Sequence, residues 1–107
     1  MLHLFQVNES QEVIASLTAQ IKDAAIVSLI GAVDEAAISN MPATDARTDI
    51  LTEYHQPMEL TESGDITDGK IHLHVTLSRE GDSCIGGHLH WARVQTFFVR
   101  AYVQSLV

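Results

Sequence analysis

The sequence predicts an α+β domain, and two kinds of pattern support that prediction. Val13, Leu17 and Ile21 recur at helical spacing, which indicates one amphipathic helix near the N-terminus. Most of the remaining chain consists of short apolar or alternating segments separated by turn residues, which is typical of strands. A length of 107 residues with 46% hydrophobic content suits one globular core. We therefore expect a single domain over residues 1–107.

The chain is predicted to open with a strand and then the helix. Leu2–Val7 is short and apolar, with the composition of a strand. Asn8 and Gln11, three residues apart, resemble a capping box, in which a side-chain acceptor and an amide satisfy the first backbone groups of a helix. The helix is therefore expected to begin there.

The middle of the chain is predicted to form strands around one loop. Residues 24–30 are almost all apolar, which predicts a strand covered on both faces. Gly31 then allows a bulge or bend before a partner strand at residues 33–38. Turn-forming residues predict a loop over residues 39–49. Two more strands follow, at Ile50–Tyr54 and at residues 58–61, and they are separated at Pro57 because proline lacks a backbone donor.

The last third of the chain carries the clearest strand pattern. Polar and apolar residues alternate through Lys70–Ser78, which predicts a strand with one buried face. Asp68 with Gly69 before it, and residues 79–82 after it, predict turns. Apart from Arg100, Gln104 and Ser105, residues 97–107 are apolar or aromatic on both faces. One small domain has little room to cover such a strand twice, so we expect part of it to lie in a subunit interface.

Four of the six histidines fall in two alternating pairs, His72 with His74 and His88 with His90. In a strand, residues two apart point to the same face. If the two segments pair antiparallel, three or four imidazoles meet on one face of the hairpin. This is the main chemical feature of the sequence.

Neutral imidazole is a common ligand for zinc and other first-row metals, and three histidines with one open position form a known catalytic zinc set. His72, His74 and His88 are therefore the candidate ligands of a divalent metal, zinc first. The alternative is ordinary polar-face histidines bonded to Thr76, backbone or water. We expect a second set of residues to contact a ligand or to lie in a subunit interface, namely Gly86, Gly87 and His90. A glycine bulge without any ligand is an equal alternative.

The composition argues against several function classes. The net charge is −8, and the six Lys and Arg residues are scattered, which disfavours direct phosphate contacts with DNA. The longest apolar run is far shorter than the roughly 20 residues that cross a bilayer, so no membrane partner is expected. A single cysteine, Cys84, excludes an intrachain disulfide, and the first residues lack a signal-peptide pattern. We expect a cytoplasmic protein, and no residue is assigned as catalytic.

Several segments together resemble a known family. Residues 72–78, followed by Gly86, Gly87 and His88 and by an apolar tail, are similar to the plants-and-prokaryotes-conserved domain, called PPC or PCC. Asp68 with Gly69, the upstream Glu59 and residues 30–33 fit the same family in order. The resemblance covers most of the chain, and its specific part is the pair of histidine segments at this spacing.

The resemblance implies a mainly antiparallel sheet packed around one principal helix, assembled as a homotrimer. It also implies an interaction protein linked to transcription regulation, because plant members join this domain to AT-hooks and contact transcription factors. Prokaryotic members usually consist of the domain alone and carry a DNA-binding label. This sequence has no Arg-Gly-Arg core of an AT-hook. The expected partners are therefore other copies and other proteins, while the alternative is a metal-dependent enzyme with zinc-type hydrolytic or lyase chemistry at the same histidines.

Overall fold

The structure, a computed structural model, describes residues 1–106 and contains one short helix and nine strands within them. The elements are β1 (Leu2–Val7), β2 (Gln11–Glu12), α1 (Val13–Gln20), β3 (Ala24–Val33), β4 (Glu35–Asn40), β5 (Ile50–Tyr54), β6 (Met58–Thr67), β7 (Lys70–Ser78), β8 (Cys84–Val94) and β9 (Val99–Ser105). The fold is mostly antiparallel sheet with a single helix. It is therefore richer in strand than the predicted α+β class implies.

All nine strands belong to one antiparallel sheet, in the order β1-β9-β3-β6-β7-β8-β4-β5, and β2 pairs with β8. The predicted pairing of β3 with the next strand is wrong, because β3 pairs with β6 and β9 while β4 pairs with β5 and β8. Only Asp34 separates β3 from β4. The shortest common hairpin loop has two residues, so this connection is too short for β4 to fold back against β3. Instead, β4 lies between β8 and β5 at the other end of the sheet.

The helix begins later than the capping box predicts. Glu12 caps it, and its carboxylate accepts hydrogen bonds from the N–H groups of Ile14 and Ala15, both at 2.8 Å. The same carboxylate accepts a third bond from the N–H of Ala92 in β8, at 3.0 Å. The N–H of Asn8 donates to the side chain of Gln11 at 2.7 Å, but this bond closes a turn ahead of β2. The predicted helix start is therefore wrong, although the predicted helix is present.

In this chain β3 is covered on one face only, which corrects the prediction of two covered faces. Val27 and Ile30 are each 54% exposed, while Ile26 and Leu29, which precede them, are buried in the core. The register of β3 against β6 shifts between Ile26 and Leu29, so the bulge lies before Gly31 and not at the glycine itself. Gly31 instead permits a close approach, because a Cβ atom there would lie 2.1 Å from the carbonyl oxygen of Phe98.

The helix and the buried side chains define the two faces of the sheet. Val13 and Leu17 of α1 belong to one core with the apolar residues of β7. The opposite face carries no helix within residues 1–106, and we call it the open face.

The last strand, β9, packs partly into the chain's own core through Val99, Ala101 and Val103. The apolar character of residues 97–107 is therefore partly explained without a partner. Val107 lies outside the described residues.

The predicted turns on both sides of β7 are present. Asp68 and Gly69 have φ values of 52° and 74° and link β6 to β7 in a two-residue hairpin turn. Beyond β7, the N–H of Arg79 donates to the carbonyl of Ser83 at 2.9 Å and closes the second turn. No helix within the described part of the chain combines the length and the apolar character that crossing a membrane requires.

Candidate functional site

The register of β7 and β8 brings the histidine side chains together on the open face. His74 lies directly opposite His88, and the centres of their rings are 5.6 Å apart. The ring of His72 is centred 6.0 Å from that of His88. Leu73 and Val75, which alternate with these histidines in β7, are buried on the core side. The alternation of the strand therefore presents the imidazoles away from the core.

A β-bulge in β8 adds the fourth ring. Leu89 pairs with Ile38 of β4 and Trp91 pairs with Ala37, which leaves His90 without a paired residue on β4. A bulge of this kind places two successive residues opposite one, so His90 and Trp91 both reach the open face. The ring centres of His88 and His90 are 5.0 Å apart. His88 is thus the centre of a histidine group formed by His72, His74, His88 and His90.

Two of the outer rings have polar partners. Nδ1 of His72 lies 3.5 Å from a carboxylate oxygen of Asp65, the residue opposite it in β6. A carboxylate beside one ring nitrogen is the usual support for a histidine that binds a metal through its other nitrogen. Nε2 of His90 lies 2.7 Å from the hydroxyl of Ser39 in β4. Sequence reasoning missed Ser39, because nothing in the sequence of β4 shows that this serine adjoins His90.

The electrostatic setting of His88 differs from that of an ordinary surface histidine. Its burial lowers its pKa below the usual 6.5, and the like charges of protonated His90, His74 and His72 lower it further, against a smaller opposing effect of Asp49. His88 is therefore neutral at neutral pH. A neutral imidazole has a free lone pair, which a metal ligand requires.

The spacing of the rings suits a shared ion, although their present orientation does not form a site. Zn–N bonds of about 2.0–2.1 Å place the ring centres of two imidazoles on one tetrahedral ion about 5 Å apart. The separations around His88 run from 5.0 to 6.0 Å. Within residues 1–106, however, no three His, Cys, Asp or Glu side chains are arranged so that they could hold a metal ion. Binding would thus require rotation of these exposed or half-exposed rings.

Comparison with known families decides the identity of the fold. The sequence model of the Plants and Prokaryotes Conserved (PCC) domain matches residues 1–107. The chain belongs to the PCC domain family. A comparison with curated proteins found no match.

Solved structures share the fold of this PCC domain. A plant- and prokaryote-conserved protein from Pyrococcus horikoshii is 22% identical, with a TM-score of 0.78 over 98% of this chain and 80% of that one. A metal-containing protein from Archaeoglobus fulgidus is 24% identical, with a TM-score of 0.73 over 98% and 81%. A candidate DNA-binding protein from Bacteroides thetaiotaomicron is 23% identical, with a TM-score of 0.78 over 98% and 78%. At these identities the likeness shows the fold alone.

The two glycines before His88 bring β8 close to β4 in this PCC domain. A Cβ atom on Gly87 would lie 2.6 Å from the carbonyl oxygen of Ser39, so only glycine fits there. The carbonyl of Gly86 accepts a hydrogen bond from the side-chain amide of Asn40 at 2.8 Å. The close approach of Gly87 is therefore to a strand of its own chain. The assignment of Gly86 and Gly87 to a ligand or an interface stays a prediction.

A second polar group, which sequence reasoning missed, adjoins the histidine group through Trp91. The ring of His55 lies 3.0 Å from a carboxylate oxygen of Glu35 and 3.1 Å from one of Glu53. These bonds raise the pKa of His55 above 6.5, that of Glu35 most. The guanidinium of Arg93 lies 3.6 Å from Glu35 and stacks 4.9 Å above the ring of Trp91. With Glu35 and Glu53 already engaged, this group has the form of a surface ion-pair network.

Proposed function

We propose that this PCC domain is a homotrimeric interaction protein, linked to transcription regulation, whose histidine group binds a metal ion or a small ligand. The observation that carries the proposal is the convergence of imidazoles from β7 and β8 around His88, with ring centres 5.0 to 6.0 Å apart. The open face exposes these rings to solvent, so an ion or a small molecule can reach them.

His72, His74 and His88 are the residues that would hold the metal. His88 is neutral at neutral pH, and Asp65 supports His72 through Nδ1, which leaves Nε2 of that ring free. Zinc is the first candidate, since it accepts three imidazoles and keeps one position open. When bound, it would act as a Lewis acid toward an oxygen ligand. A relative of the same fold, from Archaeoglobus fulgidus, is a metal-containing protein, which adds support.

Apolar residues on the open face support the proposed assembly. Leu4 on β1 pairs with Tyr102 on β9, and Ile30 of β3 lies beside β9, which places all three on the open side of neighbouring strands. Leu4 and Ile30 are each 54% exposed. Covering such a surface removes apolar side chains from water and so lowers the free energy of the protein. A second copy of the same chain could cover it. The number of three subunits comes from the family alone.

The charge of the chain favours protein partners over direct contact with DNA. A net charge of −8 repels the phosphate backbone, and DNA-binding surfaces depend on clustered Lys and Arg. The DNA-binding name of the relative from Bacteroides thetaiotaomicron therefore need not describe this domain's own contacts.

We place the protein in the cytoplasm, where a reducing environment suits the free, exposed thiol of Cys84.

Metal analysis of single histidine variants tests the proposal. The protein is loaded with zinc, desalted and measured by elemental analysis. His72→Ala and His88→Ala are each expected to retain much less zinc than the wild type, while circular dichroism shows that both still fold. His3→Ala is the matched control, because His3 lies on the edge strand β1 and makes no ring contact with the histidine group.

Unchanged zinc content in both variants would refute the assignment of the ligands. Hydrolysis of an activated ester by the zinc-loaded wild type, lost in both variants, would instead support the competing metal-dependent enzyme. Retention on a DNA column that falls steeply with salt would support direct DNA binding and contradict the role argued from charge.

A further inference from the structure

The chain has a cavity that lies apart from the histidine group. Its volume is about 840 Å³, and it lies between the ends of β3, β6 and β9 and the segment of residues 96–98 that precedes β9. Sites for small molecules commonly have volumes of roughly 300–1,000 Å³, with a mainly apolar lining and a few polar groups. Apolar side chains form much of this lining, among them Ile30, Pro57, Met58 and Phe98. The cavity therefore has the size and the lining of a small-molecule site.

Arg100 supplies a positive charge on one side of the cavity. Its neighbours in β9, Val99 and Ala101, are buried, so the alternation of the strand turns Arg100 toward the open face. Its Nε donates to the side-chain oxygen of Gln6 at 3.0 Å, and its guanidinium carbon lies 4.1 Å from the centre of the ring of Phe98. Within residues 1–106 it forms no ion pair. The guanidinium group is thus held in place while its charge remains unpaired.

Glu59 supplies a negative charge on another side of the cavity. Met58 and Leu60, its neighbours in β6, are buried, so Glu59 also faces the open side of the sheet. In the part of the chain that the structure describes, its carboxylate forms neither a hydrogen bond nor an ion pair. Glu59 and Arg100 therefore line one cavity without pairing with each other.

A second carboxylate at the cavity, that of Asp34, is already engaged. One of its oxygens accepts hydrogen bonds from the N–H groups of Gln95 and Thr96, at 2.6 and 3.0 Å. Its other oxygen accepts a bond from the hydroxyl of Thr96 at 2.8 Å. These bonds fix the segment ahead of β9, and they leave Glu59 as the carboxylate available to a ligand.

The strand register separates the two unpaired charges. Arg100 lies opposite Ile30, and Glu59 lies opposite Ala32, two residues further along β3. Because β9 and β6 flank β3, these pairings place the Cα atoms of Arg100 and Glu59 about 12 Å apart. The opposite charges therefore face the cavity from its two sides, with the apolar surface of Ile30 and Ala32 between them.

We infer that this cavity binds an amino acid with an apolar side chain, whose carboxylate pairs with Arg100 and whose ammonium group pairs with Glu59. A guanidinium group suits a carboxylate because it can donate two parallel hydrogen bonds to it. A zwitterion satisfies both unpaired charges and leaves the net charge of the cavity unchanged. The apolar lining accommodates the side chain of the ligand. The inference does not depend on the proposed metal site.

The cavity borders the surface proposed for assembly. Ile30 and Tyr102 line the cavity and also belong to that surface. A second copy of the chain could therefore bring its own charged groups to Arg100 and Glu59. The test below separates this occupant from an amino acid by following the mass of the protein together with the binding of the ligand.

Isothermal titration calorimetry with L-leucine tests the inference on the full chain. Isocaproate has the carbon skeleton of leucine without the ammonium group, and isoamylamine has it without the carboxylate. Each is expected to bind the wild type roughly tenfold or more weakly than leucine, since each loses one pair of charged hydrogen-bonding groups. Equal binding of all three compounds would show that the two charges are not used.

Two variants assign the two ends of the ligand. Arg100→Gln and Glu59→Gln are each expected to bind leucine roughly tenfold or more weakly than the wild type. Isocaproate binding should weaken only in Arg100→Gln, and isoamylamine binding only in Glu59→Gln. This opposite selectivity would not arise from a general loss of folding.

Arg79→Gln is the matched control for Arg100→Gln. Nε of Arg79 donates to the hydroxyl of Ser83 at 3.3 Å, and its guanidinium carbon lies 5.3 Å from the centre of the ring of Tyr54. Arg79 thus makes the same two kinds of contact as Arg100, but it lies outside the cavity. Its variant should bind leucine as the wild type does.

A wild type that binds no leucine would overturn the inference, and so would unchanged leucine affinity in both cavity variants. Light scattering of each variant shows what the charges do in that case. If the wild type binds no leucine and the mass falls in Arg100→Gln or Glu59→Gln, these two residues belong to the contact between copies and not to an amino-acid site.

Discussion

Two histidines on the same face of the sheet have their pKa values shifted in opposite directions, and their immediate neighbours explain why. His55 is exposed between the carboxylates of Glu35 and Glu53, which favour its protonated form. His88 is partly buried among other imidazoles, which favours its neutral form. The same side chain therefore serves in one place as a member of an ion-pair network and in another as a candidate metal ligand.

These shifts predict opposite effects of pH on the free energy of unfolding. For His88 the folded pKa is lowered, so its neutral form stabilises the fold fully above pH 6.5, and this stabilisation is lost as the pH falls through the lowered value. For His55 the folded pKa is raised, so its contribution is fully present below pH 6.5 and is lost as the pH rises through the raised value.

Urea unfolding of His88→Gln and His55→Gln between about pH 5.5 and pH 9 measures both effects, at one fixed protein concentration. The difference between wild type and His88→Gln should grow more favourable to the wild type with rising pH. The difference for His55→Gln should change the opposite way, and each variant thus serves as the control for the other. Parallel pH profiles for all three proteins would contradict both assignments.

The sequence predicted which residues of β7 and β8 carry imidazoles, but not what surrounds them. The period of two in a strand is a local property, so the shared face of His72 and His74 follows from their spacing alone. Ser39 reaches the group through a strand pairing across 51 residues of sequence, and a single sequence does not specify such a pairing. The same holds for the carboxylates around His55. The position of Asp65 opposite His72, by contrast, follows from the two-residue turn at Asp68 and Gly69 that the sequence predicts.

At the level of elements, the pairing of β8 with β4 depends on Gly87. Its missing side chain leaves room for the backbone of Ser39, which also carries the hydroxyl that bonds His90. The packing of these two strands and the geometry of the histidine group are therefore coupled. A change that separates the strands should alter both.

Gly87→Ala is expected to lower the free energy of unfolding by about 1–3 kcal/mol, because the added methyl group would lie 2.6 Å from a backbone oxygen. Gly86→Ala is the matched control and is expected to lower the free energy of unfolding less. The atom nearest to its added methyl group, the carbonyl oxygen of Val75, would be 3.0 Å away. Chemical denaturation of the two variants gives the comparison. Equal stability of Gly87→Ala and the wild type would show that β8 and β4 do not need this close approach.

The strands of the hairpin region could be predicted from the sequence, whereas the sheet order could not. Lys70–Ser78 was recognised in full because each of its apolar residues faces one core. The partner of β3 and the start of the helix were missed for different reasons. The pairing of β3 depends on β6 and β9, which are distant in sequence, and the capping role of Glu12 depends on a glutamate that is also bonded to β8.

At the scale of the whole molecule, a sheet of eight paired strands in series has one face packed on the helix and the other open. The open face carries the histidine group toward one end of the strand order and the exposed Leu4 and Ile30 toward the other. An assembly through β1, β9 and β3 would therefore leave the imidazoles of β7 and β8 outside the contact made by those three strands.

We predict a trimer mass in light scattering, and a smaller mass for Ile30→Asp because a charge there opposes burial of the apolar surface. Met41→Asp is the control, since Met41 is 61% exposed in the loop after β4 and lies outside the three strands of the proposed contact. A wild-type monomer throughout the micromolar range would contradict the proposed assembly.

The bulge in β8 has a consequence for how the fourth histidine could be gained or lost. Leu89 before the bulge faces the core, and so do Ala92 and Val94 after it. Between them, His90 and Trp91 both face the open side of the sheet. Removing the codon for His90 would leave a regular strand in which every remaining apolar residue keeps its side of the sheet. Loss of this imidazole thus needs one in-frame deletion and no compensating change in the hydrophobic pattern, so relatives with and without it can share the same core.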